Sequence, residues 1–240
     1  MAFKHTKVPE GINLPVVPTG VPSLRYEKPE RNKHYWIADN FFEHDEAMAI
    51  RQHCLSKTEW KYGKPYTKEL WPGMRSHDAL NPQQLAMVEN YVKSTIKKDK
   101  IWVETSQSVV VDSNAAILVG EEEGAARPHV DNRFLCRYAA VLYLHPNPEP
   151  SAGTSFYRLK YANNAAGGNV VDPPHANLVD ALNVTSLPIS AWYVDEDIDN
   201  VFNRLIIFKG NIAHSASAYF GHDLDSKRLA VTFFWMCEGE

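Results

Sequence analysis

Residues 227–235 read Lys227-Arg-Leu-Ala-Val-Thr-Phe-Phe-Trp235, and the alternation inside them decides the fold class. In an extended strand successive side chains point to opposite faces. Arg228, Ala230, Thr232 and Phe234 then share one face, and Leu229, Val231, Phe233 and Trp235 share the other. An arginine on the face of an otherwise apolar strand is costly unless something pairs with it. No acidic residue stands nearby on the strand. A bound dicarboxylate would supply the missing partner in bidentate geometry.

Working upstream, Arg204-Leu-Ile-Ile-Phe208 reads as a buried strand, Lys209-Gly-Asn211 as a tight turn, and His214 as the opening of the next strand. Further β-rich runs precede it at Thr154–Leu159, Leu135–Leu144, Ala115–Val119 and Ser106–Val111, with glycine, proline and asparagine between them. Many short strands in succession predict an antiparallel sandwich or barrel. Two helices are expected on its outer face. One spans Glu43 to Lys57, with Ala47, Ile50, Cys54 and Leu55 on one side. The other starts at Asn81-Pro82, an N-cap asparagine followed by proline at the first helical position. A short strand-like run lies at His34–Asp39. Residues 1–33 carry five prolines and read as an extended arm, ahead of a single domain over 34–240. Residues 160–200, rich in Asn, Gly, Pro and Asp, read as a lid-like insertion.

A chain of 240 residues, 44% apolar, holds one domain with a substantial core. Its formal charge of −4 gives no broad basic footprint for nucleic acid. Lys93, Lys97, Lys98 and Lys100 close the second helix, where cations suit the helix dipole. Cys54, Cys136 and Cys237 are far apart, which excludes a zinc-type pair and suits a reducing compartment. There is neither an apolar leader segment nor an apolar run near the ~20 residues of a membrane span. The expectation is a cytoplasmic chain without membrane contact, in surroundings that keep iron ferrous.

His129-Val-Asp131 is the candidate chemical motif. In a strand the imidazole and carboxylate stand side by side, ready to take two positions on one metal. Two histidines and one carboxylate suit non-heme Fe(II) and leave positions open. The motif alone carries little weight, because a His–Asp pair is also a common structural hydrogen bond. His44-Asp-Glu46 shows the difference: it sits in a predicted helix, where i and i+2 do not share a face, and reads as solvent-facing. His214 after a buried strand, and Arg228 on an apolar one, are what raise the odds. His145, His175 and His222 read as surface or loop residues. Arg127, Arg133 and Arg137 either cap loops or hold an anionic group of a substrate. Trp71-Pro-Gly-Met-Arg75 is either ordinary turn chemistry or a substrate-side loop.

The order His129-Val-Asp-Asn132, a strand ending in Tyr143-Leu144, Gly153-x-x-x, Arg204-Leu-Ile-Ile-Phe208, His214 and Arg228-Leu-Ala-Val-Thr232 resembles the prolyl-hydroxylase branch of the iron(II)- and 2-oxoglutarate-dependent oxygenases. The resemblance covers residues 104–237, with an echo at Ile37-Ala-Asp-Asn-Phe-Phe42. It implies a mainly β fold with flanking helices around a double-stranded β-helix of jelly-roll or cupin type. It implies iron held by His129, Asp131 and His214, and the distal carboxylate of 2-oxoglutarate held by Arg228. Tyr143 and Thr232 would line that pocket. The implied activity is hydroxylation of an unactivated C–H bond with O2, releasing succinate and CO2. The implied substrate is a peptide or protein side chain, or an amino-acid-like small molecule. Asp131 stands where halogenases of this superfamily carry a small residue, which favours hydroxylation. Two departures are visible. Val119 stands where some members have a second cosubstrate-contacting tyrosine, and Tyr219–Ser226 lengthens the gap from His214 to Arg228. Lys227 and Arg204 are therefore the competitors of Arg228, and alternation favours Arg228. Two other readings of the same motifs are a non-catalytic metal or 2-oxoglutarate sensor, and a cupin-type metalloenzyme independent of 2-oxoglutarate.

Overall fold

The computed structural model describes residues 24–63, 71–105, 111–184 and 187–239. In chain order these form β1 (Tyr35–Ala38), α1 (His44–Leu55), β2 (Lys61–Tyr62), β3 (Met74–Ser76), α2 (Pro82–Ile96), β4 (Ile101–Trp102), β5 (Ala115–Val119), β6 (Tyr138–Tyr143), β7 (Thr154–Leu159), α3 (Leu178–Leu182), β8 (Trp192–Ile198), β9 (Leu205–Lys209), β10 (His214–Ala216) and β11 (Arg228–Cys237). The expected strand at Ser106–Val111 falls, but for its last residue, outside the described residues, as does the expected arm up to residue 23.

Two antiparallel sheets face each other. The larger follows the order β1-β9-β6-β11-β5-β3-β2, with β4 also paired to β11; the smaller follows β10-β7-β8. Strand order jumps along the chain in both sheets, as it does when two β-ribbons wind around each other. This is a double-stranded β-helix with helices on one sheet. β11 is its spine, pairing with β5 from Arg228↔Val119 to Thr232↔Ala115 and with β6 from Ala230↔Tyr143 to Trp235↔Tyr138.

The alternation along 227–235 divides two cores. Leu229, Val231, Phe233 and Trp235 join Ile50, Val88 and Val92 in an apolar cluster between the larger sheet and the two long helices. Ala230 faces the other way and packs with Phe156, Ile198, Ile206 and Phe208 between the sheets. Helix α2 starts where the Asn-Pro signal places it. Asn81 accepts from the backbone N–H of Gln83 and Gln84, and the Gln84 side chain accepts from the Asn81 N–H, which completes a capping box. Helix α1, at His44–Leu55, is a little shorter than the expected Glu43–Lys57.

The segment 160–200, expected as a lid-like insertion, supplies a strand of the smaller sheet. Its second half contains β8, seven residues paired along the whole of β7. The run Asp195-Glu-Asp197 disguises this strand, because three acidic residues do not read as β. Tertiary pairing overrides the weak propensity. The described part of the N-terminal arm lies against the first half of the same segment. Arg25 bridges Val170 and forms an ion pair with Asp172, and Asn169 exchanges hydrogen bonds with Glu27.

Candidate metal centre

His129 and His214 sit directly opposite each other as antiparallel partners. The His129 N–H donates to the His214 carbonyl at 3.0 Å, and the His214 N–H donates back at 2.8 Å. Adjacent strands therefore bring the rings together, with centroids 4.6 Å apart. Asp131, two residues on, projects to the same side. Its N–H donates to the Gly210 carbonyl at 2.8 Å, which ties it to the turn after β9. His129, Asp131 and His214 each offer one ligand atom, and these atoms lie within 4.8 Å of one another.

The imidazoles are held in one tautomer by their own backbones. Nδ1 of His129 lies 2.9 Å from the Arg127 carbonyl, and Nδ1 of His214 lies 2.8 Å from the Ile212 carbonyl. A carbonyl only accepts, so each Nδ1 carries a proton, and in the neutral ring it is Nε2 that holds the lone pair. Both Nε2 atoms face Asp131, at 3.8 Å from Oδ1 and 3.7 Å from Oδ2. Two neutral imidazole nitrogens and a carboxylate converging at these spacings have the chemistry of a three-ligand site for a divalent transition metal. This donor set fits ferrous iron.

Three neighbours shape this cluster. The Cys136 thiol lies 3.6 Å from Asp131 Oδ2, and burial followed by the nearby carboxylate pushes it well above the usual thiol range. A side chain on Gly210 would start 2.9 Å from Asp131 Oδ2, so the turn needs glycine for space. Trp71 sets its ring edge-on to His129 at 4.8 Å and carries the Arg127 guanidinium on its face at 4.5 Å.

A cavity of about 420 Å³ opens beside the three residues. Arg228, Thr232, Ala230 and Phe234 all line it, which is the face that alternation assigns. Arg228 is buried, and its guanidinium donates to the carbonyls of Ala152 at 2.8 Å and Gly153 at 3.3 Å. Among the described residues no carboxylate pairs with it. Its two competitors are spoken for elsewhere. Lys227 pairs with Glu123 at 2.7 Å, and Arg204 makes a two-pronged contact with Asp39. Tyr143 is fully buried among apolar residues, with its ring 5.4 Å from the Arg228 guanidinium and its hydroxyl 2.7 Å from Thr154 Oγ1. Burial raises the Tyr143 phenol, and Arg228 pulls it back. Thr154, rather than Tyr143, borders the cavity. The Thr232 hydroxyl donates to the Asp112 carbonyl at 3.0 Å, and both residues line the cavity.

Sequence reasoning missed two groups here. Arg75 and Asp112 form a buried ion pair in the cavity wall, with Nε and Oδ2 3.4 Å apart. Arg75 closes the Trp71–Arg75 stretch whose role was open, while Asp112 gave no periodic signal. Tyr219, inside the insertion before Arg228, also lines the cavity; burial raises its phenol, opposed by Arg228 and Arg75. Of the remaining histidines, His175 and His222 are exposed, and His145 stacks edge-on against Phe220 at 5.0 Å. His44 and Asp45 lie exposed on α1. All three cysteines are buried thiols outside any disulfide. Among the described residues no helix is long and apolar enough to cross a membrane.

Solved structures share this fold at low identity. The alpha-ketoglutarate-dependent carbocyclase SnoK from nogalamycin biosynthesis is 12% identical with a TM-score of 0.53, covering 86% of this chain and 80% of its own. HygX from Streptomyces hygroscopicus, solved with nickel and 2-oxoglutarate bound, is 13% identical with a TM-score of 0.52, covering 85% and 83%. A prolyl hydroxylase from Trichoplax adhaerens, in complex with a hypoxia-inducible-factor peptide fragment, is 12% identical with a TM-score of 0.51, covering 85% and 84%. No curated protein matches the sequence. The profile of a family of unknown function, DUF6445, matches residues 22–235, nearly the whole of the fold described above, and the chain belongs to that family.

Proposed function

We propose that this chain is an iron(II)- and 2-oxoglutarate-dependent oxygenase that hydroxylates an unactivated C–H bond. The observation that carries the reading is the convergence of His129 Nε2, His214 Nε2 and the Asp131 carboxylate on one side of a cavity that also holds a buried arginine. The neighbours of this fold support it, since HygX binds nickel and 2-oxoglutarate and SnoK depends on alpha-ketoglutarate.

Ferrous iron and 2-oxoglutarate supply, when bound, the oxidative decarboxylation that activates dioxygen. The protein's share is positioning and exclusion of water. His129, Asp131 and His214 would hold the metal, which would supply the site for cosubstrate binding and oxygen activation. Backbone carbonyls fix both imidazole orientations, so each neutral ring presents Nε2 to the metal. Arg228 holds the far carboxylate of 2-oxoglutarate, and its anchoring to the Ala152 and Gly153 carbonyls presets its position. Thr232 lines the same pocket, and Tyr143 acts through Arg228, whose face it covers. Asp131 occupies a metal position that a halide would need, which favours hydroxylation over halogenation.

The test is succinate formation by purified chain with Fe(II), 2-oxoglutarate and O2, slow without substrate. Asp131→Ala is expected to abolish it. Succinate production unchanged in that variant would sink the ligand assignment. Arg228→Ala separates this reading from a cupin-type enzyme that needs no 2-oxoglutarate, because oxygen consumption in the latter would be unaffected.

A further inference from the structure

We infer that the cavity receives the apolar carbon skeleton of a small molecule, laid against the α3 segment, in preference to a peptide. This names a substrate class for the site proposed above and rests on that reading. The cavity has two unlike walls. Of its charged side chains, Arg75, Asp112 and Arg228 belong to the larger sheet or its border, and Arg127 and Asp131 stand in the loop that carries His129. The opposite wall is built by Leu178, Val179, Leu182, Val184 and Leu187, five apolar side chains within residues 178–187.

That wall is fastened to the metal ligands themselves. Val130, between His129 and Asp131, and Ala213, just before His214, share one apolar cluster with Leu178 and Trp192. The Arg133 N–H donates to the Ala176 carbonyl at 2.9 Å, tying the segment to the loop after Asp131. The apolar wall is therefore continuous with the residues flanking the metal ligands.

The polar groups near the wall are turned inward on their own turn. Asn177 Oδ1 accepts from the Asp180 N–H at 3.0 Å, and the Asp180 carboxylate accepts from the Ala176 N–H at 2.8 Å. Among the described side chains of this wall, a peptide would find as donors the Asn177 amide and the Trp192 indole N–H, against five apolar side chains. Each backbone amide buried there without a partner would lose its hydrogen bonds to water with nothing to replace them. An aliphatic or alicyclic skeleton carries no such cost and gains from burial. A cavity of about 420 Å³ lies within the range of roughly 300–1,000 Å³ that encloses such a ligand.

The experiment uses the full chain loaded with Mn(II) and 2-oxoglutarate, titrated with 1-decanol and with a blocked Ala-Pro-Ala-Ala peptide. Tryptophan fluorescence reads binding, because Trp71 and Trp192 line the cavity. Decanol is expected to bind saturably and the peptide not to compete with it. Val179→Asp and Leu182→Asp should each weaken decanol by about tenfold or more while Mn(II) affinity stays the same. Val179 is partly exposed, so its variant keeps the fold even if the Leu182 variant does not. Tighter binding of the peptide, or decanol binding unmoved in the Val179 variant, overturns the inference. Mn(II) affinity is scored separately: its absence in the unmodified chain would sink the proposed function, while the decanol titration still judges the cavity.

Discussion

His129 and His214 exchange both of their backbone hydrogen bonds across an antiparallel pair, so the geometry of the candidate metal centre is set by strand register. A slip of one residue would turn one ring to the other face of the sheet. Register is held by neighbouring ladders: β10 pairs with β7 from His214↔Phe156 to Ala216↔Thr154, and Asp131 is tied to Gly210.

Gly210→Ala tests how tightly the turn constrains Asp131. The new methyl carbon would begin 2.9 Å from Asp131 Oδ2 and 3.2 Å from the Cys136 sulfur. The carboxylate has to swing away from the two Nε2 atoms. Metal affinity is expected to fall by about 10- to 100-fold, the range seen when the support of a ligand is disturbed. Calorimetric titration with Mn(II) measures it; unaltered affinity would mean that Asp131 has slack or does not bind metal.

Arg228→Ala should have two separable effects. It removes the expected partner of the 2-oxoglutarate carboxylate, and it strips hydrogen bonds from the buried carbonyls of Ala152 and Gly153. Leaving such groups unpaired costs about 1–3 kcal/mol each at most, so the Tm should drop as well. Arg204→Ala, whose guanidinium is engaged by Asp39, is the control that leaves 2-oxoglutarate affinity unchanged. Equal affinity in all three proteins would exclude Arg228 from the cosubstrate site.

Much of this was legible because it is local. The alternation from Arg228 to Trp235 separates the cavity face from the helix-facing core with no knowledge of partners. His129 and Asp131 share a face for the same reason of pleat. Arg75 and Asp112 were not legible, because their meeting depends on β3 pairing beside β5, with Arg75 opposite Ile117. No pattern in either local stretch encodes that pairing. β8 was hidden for a related reason: its acidic middle resembles a loop, and only pairing with β7 makes it a strand.

Asn81→Ala addresses the helix packed behind the spine strand. The side chain satisfies two N–H groups at the start of α2. Its loss is expected to cost about 1 kcal/mol, read as a lower denaturant midpoint at unchanged slope. Metal and 2-oxoglutarate affinities should not move, since α2 packs on the far face of the larger sheet.

Asp195 gives a pH dependence whose sign is fixed by its surroundings. It is the extra residue of a bulge in β8, since Val194 pairs with Tyr157 and Glu196 with Phe156. Burial pushes its carboxyl up to about 6, against the pull of Arg158 on β7, contact with Tyr26 and Lys28 on the arm, and with Glu196 beside it adding to the rise. The folded protein thus holds this proton more tightly than the unfolded chain does. The contribution is favourable below about pH 4 and is lost as pH rises through about 6. Asp195→Asn, which mimics the protonated form, should therefore match the unmodified chain near pH 4 and exceed it at pH 7.5 by on the order of 1 kcal/mol. Paired Tm measurements across that range check it. A variant that is less stable at pH 7.5 would show instead that attraction to Arg158 outweighs the cost of burying the charge.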